Sequence, residues 1–377
     1  MKPEIKAKLG KVTEWMKSEI VLCVAAMLAL FSMCLVPPNR FYVKYLDYRT
    51  LVLLFCLMAV VAGLKRAGVF EWLSGQLLGK ISNARQLTQV LVFLCFFTSM
   101  FITNDVALLT FVPFTLLVVQ KAGCKQWTIY IIVLQTIAAN LGSMLLPVGN
   151  PQNLYLYGIS GYTLFQFVGH MCPLWICSFV GLWFCTLVVK KKEISVNTKA
   201  VTINNGLFYL VLFLFCLGTV AELLPYWVLF PILVLAIFWK EKEILLEVDY
   251  CLLITFICFF IFIGNVKAMP QVANLLQKLI VGREFFVGIV SSQLISNVPA
   301  AILLSGFSHN TASLLWATNI GGLGTLIASL ASVISYKIYM QEEEKNGKKY
   351  FKVFTGVNLI FLAALCGIGV LMVNVHR

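Results

Sequence analysis

ITNDVALLTF (residues 102–111) and ISNVPAAILL (residues 295–304) decide how this chain folds. Each sets a hydroxyl–amide pair, Thr103-Asn104 or Ser296-Asn297, in the middle of an apolar run. Around the first pair, the 33 residues from Leu87 to Val119 hold a single charged side chain, Asp105. A carboxylate in hydrocarbon costs about 3 kcal/mol or more, and residues placed there mark ion or proton paths far more often than they are incidental. Two such tips at related positions call for one explanation.

Working outward, the chain is 60% hydrophobic and 12% charged, with a mean hydropathy of +0.90, whereas a soluble domain carries about a quarter charged residues. Runs of about 20 apolar residues, enough to cross ~30 Å of hydrocarbon, recur along the chain. The expected fold class is an all-α polytopic membrane protein. Nine crossing helices are expected, at 20–37, 48–65, 127–149, 163–190, 206–224, 226–240, 250–267, 311–338 and 351–374. The first of them follows five lysines and lacks a small-residue cleavage site, so it reads as a retained span rather than a leader. Residues 1–19 read as an amphipathic segment on the cytoplasmic surface.

Two polar-centred segments remain, 87–119 and 285–307. Phe285–Ile295 is 11 residues, a rise of about 16 Å as a helix, half the hydrocarbon thickness. SNVP and a second short arm follow, so the segment enters and leaves on one side. Its tip then lies near the midplane, where non-helical backbone needs protein or a water-filled cavity around it. The 87–119 segment has longer arms and reads as a second re-entrant hairpin, with two full crossings as the alternative, which would leave the parity of the chain unchanged.

The formal charge of +13 raises the question of nucleic acid, but the basic residues fall in short loops, a pattern that reports orientation instead. Of the 29 Lys and Arg, 22 collect on the N-terminal side and 7 on the other. That asymmetry places the N-terminus in the cytoplasm and the C-terminus outside, in the cytoplasmic membrane, with the two hairpins inserted from opposite faces. The 12 cysteines are scattered through apolar runs without a CxxC, which gives neither a disulfide framework nor a zinc site.

The chain also repeats. YLDYRTLVLLF (45–55) resembles EVDYCLLITFI (247–257), and AANLGSMLLPVGNPQN (138–153) resembles ATNIGGLGTLIASLAS (317–332), aligning Asn140 with Asn319 and Asn150 with Ser329. A first transport repeat is expected at 20–190, a connecting loop and crossover helix at 191–225, and a second repeat at 226–377. The crossover reverses the second unit. Inverted-topology repeats hold substrate and ion sites at the midplane between them.

Broken helices free N–H groups for an anion and carbonyls for a cation, and no span carries Lys or Arg in its core. The candidate substrate-binding residues are Thr103, Asn104, Gly149, Asn150, Pro151, Ser296, Asn297, Thr325 and Ser329. The candidate ion-coupling residues are Asp105, Asn140 and Asn319, with Na⁺ held at Asn104, Asp105 and Asn297 as one option. Helix–helix packing accounts equally well for Asn140, Asn319 and the glycines at 321, 322 and 324 taken singly. Asp47 and Asp249 read as N-caps, Glu222 as a helix-end cap or snorkelling group, and His170 as interfacial packing ahead of a proton relay. An enzyme would need a nucleophile–base pair or metal ligands at the midplane, which one core carboxylate and three scattered histidines do not supply. A non-transporting scaffold would have no use for matched broken helices.

The hydroxyl–Asn tips, TNDVALL, PVGNPQN and SNVPA resemble the ion transporter superfamily, over nearly the whole chain from residue 20. That group comprises arsenite permeases and sodium–proton antiporters of the ArsB/NhaD type, together with citrate and dicarboxylate carriers related to the divalent anion:sodium symporters. The resemblance implies a homodimer whose transport part moves like an elevator against a scaffold. It also implies a small anionic substrate and a coupling H⁺ or Na⁺ bound at the hairpin tips and helix breaks, with no other cofactor. The dicarboxylate carriers have Ser-Asn-Thr at both tips; here the third positions are Asp105 and Val298. An Asn-Asp tip is closer to the arsenite-permease and antiporter branch.

Overall fold

The computed structural model describes residues 19–78, 81–194, 202–308, 310–342 and 346–375. The surface segment expected at 1–19 lies, apart from Glu19, outside them, as do parts of the 191–205 loop and the 341–349 run. Among the described residues the regular elements are helical, with one isolated bridge between Asn83 and Glu193.

The first half comprises α1 (Ile20–Leu35), α2 (Tyr48–Arg66), α3 (Val69–Leu78), α4 (Ala84–Ile102), α5 (Asn104–Lys121), α6 (Thr128–Gly142), α7 (Pro151–Ser160) and α8 (Leu164–Thr186). Helix α9 (Gly206–Val220) joins it to the second half. There follow α10 (Tyr226–Glu241), α11 (Tyr250–Lys267), α12 (Pro270–Ile280), α13 (Glu284–Ile295), α14 (Asn297–Ser305), α15 (Thr311–Gly321), α16 (Leu330–Glu342) and α17 (Gly347–Val375). Among the described residues seven helical stretches are long and apolar enough to cross a membrane: α2, α4, α5, the stretch Lys125–Leu145 that contains α6, α8, α11 and α17.

Local chemistry starts these helices where the sequence asks. The Asp47 and Asp249 side chains accept the backbone N–H of Thr50 and Leu252, so both are the N-caps expected. Thr163 and Gln166 form a reciprocal capping box ahead of α8. Glu222 does not cap: it pairs with Arg49 at 3.0 Å, tying the start of α2 to the α9–α10 turn. At its other end α2 is held by Arg66, which meets Glu243 at 2.6 Å, Glu241 at 3.4 Å and Glu247 at 3.7 Å. That guanidinium holds the Glu243 carboxyl below the usual carboxylate range.

Two expected crossings have different ends. The span expected at 127–149 stops as a helix at Gly142, breaks, and resumes as α7 to Ser160; the one expected at 311–338 stops at Gly321 and resumes as α16. Two amphipathic helices were not expected, α3 and α12. They sit at matching places, each between an Asp-capped span and a hairpin.

Both hairpins fold back on themselves. Helices α4 and α5 close at their bases around Leu87, Leu91, Val118 and Val119, and this base is pinned to the end of α8 by Arg85 Nε donating to Val189 O at 2.9 Å. Helices α13 and α14 close at theirs through Ser308 Oγ donating to Glu284 at 2.9 Å. This second base faces the start of α8, where Tyr162 and His170 share a cavity with Arg283 and Glu284. Helix α8 runs unbroken over 23 residues, about 34 Å. The hairpins therefore open toward opposite ends of the molecule. The arms of the first, 19 and 18 residues, are longer than the sequence reading assigned.

Candidate functional site

The tips are built alike. Thr103 has φ 69° and ψ 151°, and Ser296 has φ 73° and ψ 155°. Neither is glycine, and a β-branched residue at positive φ is an outlier that marks strain held for a purpose. In both tips the following asparagine folds over its neighbour: Asn104 Oδ1 accepts Asp105 N–H at 3.0 Å, and Asn297 Oδ1 accepts Val298 N–H at 3.0 Å.

Each helix break comes from residues that cannot continue a helix in place. Pro147 and Pro151 interrupt the first, and a Cβ on Gly142 or Gly149 would run into the carbonyls of Phe96 or Ser143. The first break contains two 3₁₀ turns, 143–145 and 147–149, and the second contains one, 326–328; in both the last turn is followed by an extended residue, Asn150 or Ser329, before the next helix starts.

The breaks interlock between the halves. Ser329 Oγ donates to Asn140 Oδ1 at 2.8 Å, so the first half's asparagine grips the second half's break. Reciprocally, Asn150 Nδ2 donates to Asn319 Oδ1 at 3.2 Å and Asn319 Nδ2 donates to Asn153 Oδ1 at 2.7 Å. Asn104 Nδ2 joins the first group, donating to Asn140 Oδ1 at 3.0 Å. Asn140 is the 13th residue of the 15 in α6, about 18 Å from its start. Hairpin 1 thus ends well inside the helical layer.

Both tips line one small hole, about 10 Å³, with Asn104, Asp105, Pro151, Gln152, Asn297, Val298 and Ser329 on its wall. That is room for roughly one water or a bare small cation. Asp105 and Gln152 line the hole, and Asp105 Oδ1 and Gln152 Oε1 are buried without a hydrogen-bond partner, as is Nδ2 of Asn140, whose Oδ1 accepts from Asn104. The N-termini of α5, α7, α14 and α16 converge on the same place, and helix N-termini favour negative charge. A cavity of about 310 Å³ joins Thr103, Asp105, Asn150 and Pro151 to Lys65, Glu247 and Lys337 at its rim. Its wall also includes Glu19 ahead of α1 and Asp249 ahead of α11. The larger cavity of about 590 Å³ around His170 and Arg283 is lined by none of the tip residues.

Of the residues the sequence points to, the structure brings together Asn104, Asp105, Asn140, Asn150, Pro151, Asn297, Ser329 and Asn319, with Thr103 and Ser296 forming the tips themselves and Gly149 shaping the break. Thr325 stands apart: it is exposed and bonds Gln293, its N–H donating to Gln293 Oε1 at 3.0 Å. The His170 ring packs at a tilt of 33° against Tyr162 with ring centroids 4.9 Å apart, and its carbonyl accepts Trp316 Nε1 at the far end of the molecule. Sequence reasoning passed over Gln152 and Asn153, although both stand in VGNPQN, and Gln293, which reads as a lone amide on an apolar arm. Among the described residues no three His, Cys, Asp or Glu side chains gather as a metal cluster, so a cation here would be held mainly by neutral oxygens.

The chain matches the citrate transporter family model over residues 11–315. It is 30% identical to the uncharacterized transporter MJ0456 of Methanocaldococcus jannaschii, over 78% of this chain and 81% of that protein. It is also 30% identical to the inner membrane protein YbiR of Escherichia coli, over 78% of this chain and 80% of that one. To the uncharacterized transporter Rv2685 of Mycobacterium tuberculosis it is 26% identical over 43% and 40%.

Proposed function

This chain belongs to the citrate transporter family, and from that premise we propose that it is a secondary active transporter of a small anion, an organic carboxylate such as citrate or a dicarboxylate, or an inorganic oxyanion. Transport is coupled to H⁺ or Na⁺ and proceeds by an elevator-like movement of the hairpins and breaks against a scaffold within a homodimer. The single observation that carries this reading is the set of partnerless polar atoms at the meeting of the tips. Asp105 Oδ1 and Gln152 Oε1 are acceptors for a cation, and Asn140 Nδ2 and the converging helix N-termini are donors for an anion.

The loop charges orient the molecule with the N-terminus in the cytoplasm and the C-terminus outside. The rim of the 310 Å³ cavity then faces inward, and substrate reaches the tips from the cytoplasm in this conformation. Asp105 binds the coupling cation when ionised and releases it when the site meets the other side.

One observation favours a second reading, Na⁺/H⁺ antiport or arsenite efflux. The cavity wall carries Glu19, Asp105, Glu247 and Asp249 against Lys65 and Lys337, a balance that suits a cation or an uncharged species better than a polyanion. Purified protein in liposomes, offered citrate, dicarboxylates, sulfate, phosphate and arsenite under imposed Na⁺ and pH gradients, separates the two. Gradient-driven accumulation of an anion that Asp105→Asn abolishes supports the first. Cation exchange without any anion movement overturns it.

A further inference from the structure

The two breaks are braced differently. Within its own half, the first is held by the break's own side chains: Asn150 Nδ2 donates to Ser143 Oγ at 3.1 Å, and Asn153 Nδ2 donates to the Met144 carbonyl at 3.1 Å. Among the described residues no side chain of hairpin 1 hydrogen-bonds to residues 143–150.

The second break is held from outside, by Gln293 on the first arm of hairpin 2. Its Nε2 donates to the carbonyls of Gly321 and Leu323, both at 2.8 Å, which α15 leaves without helical partners. Its Oε1 accepts the Thr325 N–H at 3.0 Å, and Thr325 Oγ1 donates to the Gln293 main-chain carbonyl at 3.4 Å. Gly324, at φ 103°, lies so close that a Cβ would strike the Gln293 amide. One side chain therefore satisfies three backbone groups of a five-residue stretch, which neither a shorter nor an apolar side chain can do. Three residues later comes the tip, where Ser296 Oγ donates to Ala328 O at 3.4 Å. The residue at the corresponding place in hairpin 1, four before the tip asparagine, is Met100, which has no N–H to offer.

We propose that Gln293 is a positioning residue that welds the second hairpin to the second helix break, so that Ser296 and Ser329 reach the site as one preset unit. Ser329 holds Asn140, and Asn140 holds Asn104, so the register that Gln293 sets passes to the tip that carries Asp105. Part of this inference rests on the transport function proposed above, and the test has one arm that does not.

The test compares full-length protein in lipid nanodiscs, wild type, Gln293→Met (the side chain hairpin 1 carries) and Gln293→Leu. In the first arm, hydrogen–deuterium exchange is followed without substrate. Amides across 323–329 are expected to exchange about tenfold faster in both variants, as the loss of one or two hydrogen bonds implies, while those across 143–150 keep their wild-type rate. Gly324→Ala, which pushes the amide aside, should quicken the same amides, and adding it to Gln293→Met should add little. Uniform acceleration over the whole chain, or none at 323–329, overturns the proposal. In the second arm, liposome uptake of whichever solute the screen identifies is expected to show a half-saturating concentration raised severalfold with the maximal rate changed less. An equal loss in every parameter marks general damage and overturns the positioning role. If no solute is transported, the function falls and the exchange arm still decides the weld.

Discussion

At the tip of hairpin 1 the residue after the asparagine is Asp105; at the tip of hairpin 2 it is Val298, on a backbone whose φ and ψ differ by only a few degrees. The Asn side chains make the same bond in both. The two turns share their geometry and differ in chemistry, with a carboxylate on one side of the hole and an aliphatic group on the other. The breaks differ likewise, the first braced by its own asparagines and the second by a glutamine from its hairpin. A symmetric scaffold with asymmetric tips suits a site that holds a cation and an anion next to each other, because one end must differ in charge from the other.

The largest effect that can break this comparison comes from equalising the tips. Asp105→Asn removes the only ionisable group there and is expected to cut gradient-driven accumulation by ~100-fold or more, a carboxylate–cation contact in a dry site being worth a few kcal/mol. Val298→Asp, which equalises them the other way, places a second carboxylate at the same hole and is expected to stop transport as well. Unchanged uptake and unchanged pH dependence in Asp105→Asn would return that residue to a structural role.

Next in size is the interlock. Asn140→Leu leaves Asn104 Nδ2 and Ser329 Oγ without their acceptor, at a cost of roughly 1–3 kcal/mol for each buried group. Asn319→Leu leaves Asn153 Oδ1 without its donor and costs Asn150 Nδ2 one of its two acceptors, Ser143 Oγ remaining. Thermal melts in detergent should place the two variants close together, since each grips the opposite half; a large loss in one and none in the other would deny the reciprocity.

A smaller change tests the strain. Thr103→Gly and Ser296→Gly each relieve a positive φ, which costs an ordinary residue about 1–3 kcal/mol. Both are expected to hold or raise the melting temperature while lowering transport, since the hydroxyl and the fixed turn go together. A fall in stability would mean that the hydroxyls stabilise the fold more than the backbone strains it.

The smallest effect lies away from the tips. Arg66 holds the Glu243 carboxyl below its usual range, so this pair contributes above the ordinary Glu value of about 4.3 and is lost as pH falls through the lowered one. Both groups are exposed at the surface and salt screens them. Glu243→Gln is expected to leave transport intact and to move a thermal melt at neutral pH by no more than its scatter. A marked loss would make the clamp of α2 on the α10 end more than a surface contact.

Much of this was legible in the residues. The polarity of the runs sets membrane helices, because backbone in lipid must bond internally and continuous apolar runs of about 20 residues suit helices rather than the short alternating strands of a barrel. The short arms around SNVP show a turn inside the layer, and the matched Asp-led spans show the repeat, since both are local patterns. Asn140, Asn150, Asn319 and Ser329 could be named as a group because polar side chains in hydrocarbon stand out one by one.

Pairing is another matter. That Asn140 reaches Ser329 and Asn319 reaches Asn150 and Asn153, rather than each bracing its own half, depends on how two inverted units sink into each other, over sequence separations of 166 to 189 residues. The positive φ of Thr103 and Ser296 has no signature, since glycine is what such a turn would lead one to expect. Gln293 and Thr325 show the same limit from both sides: an amide that looks like filler holds a break, and a hydroxyl that looks like a ligand turns away to bind it. Composition can say that a polar atom in lipid must find a partner, but which partner is a matter of distance, and distances exist only once the helices have packed.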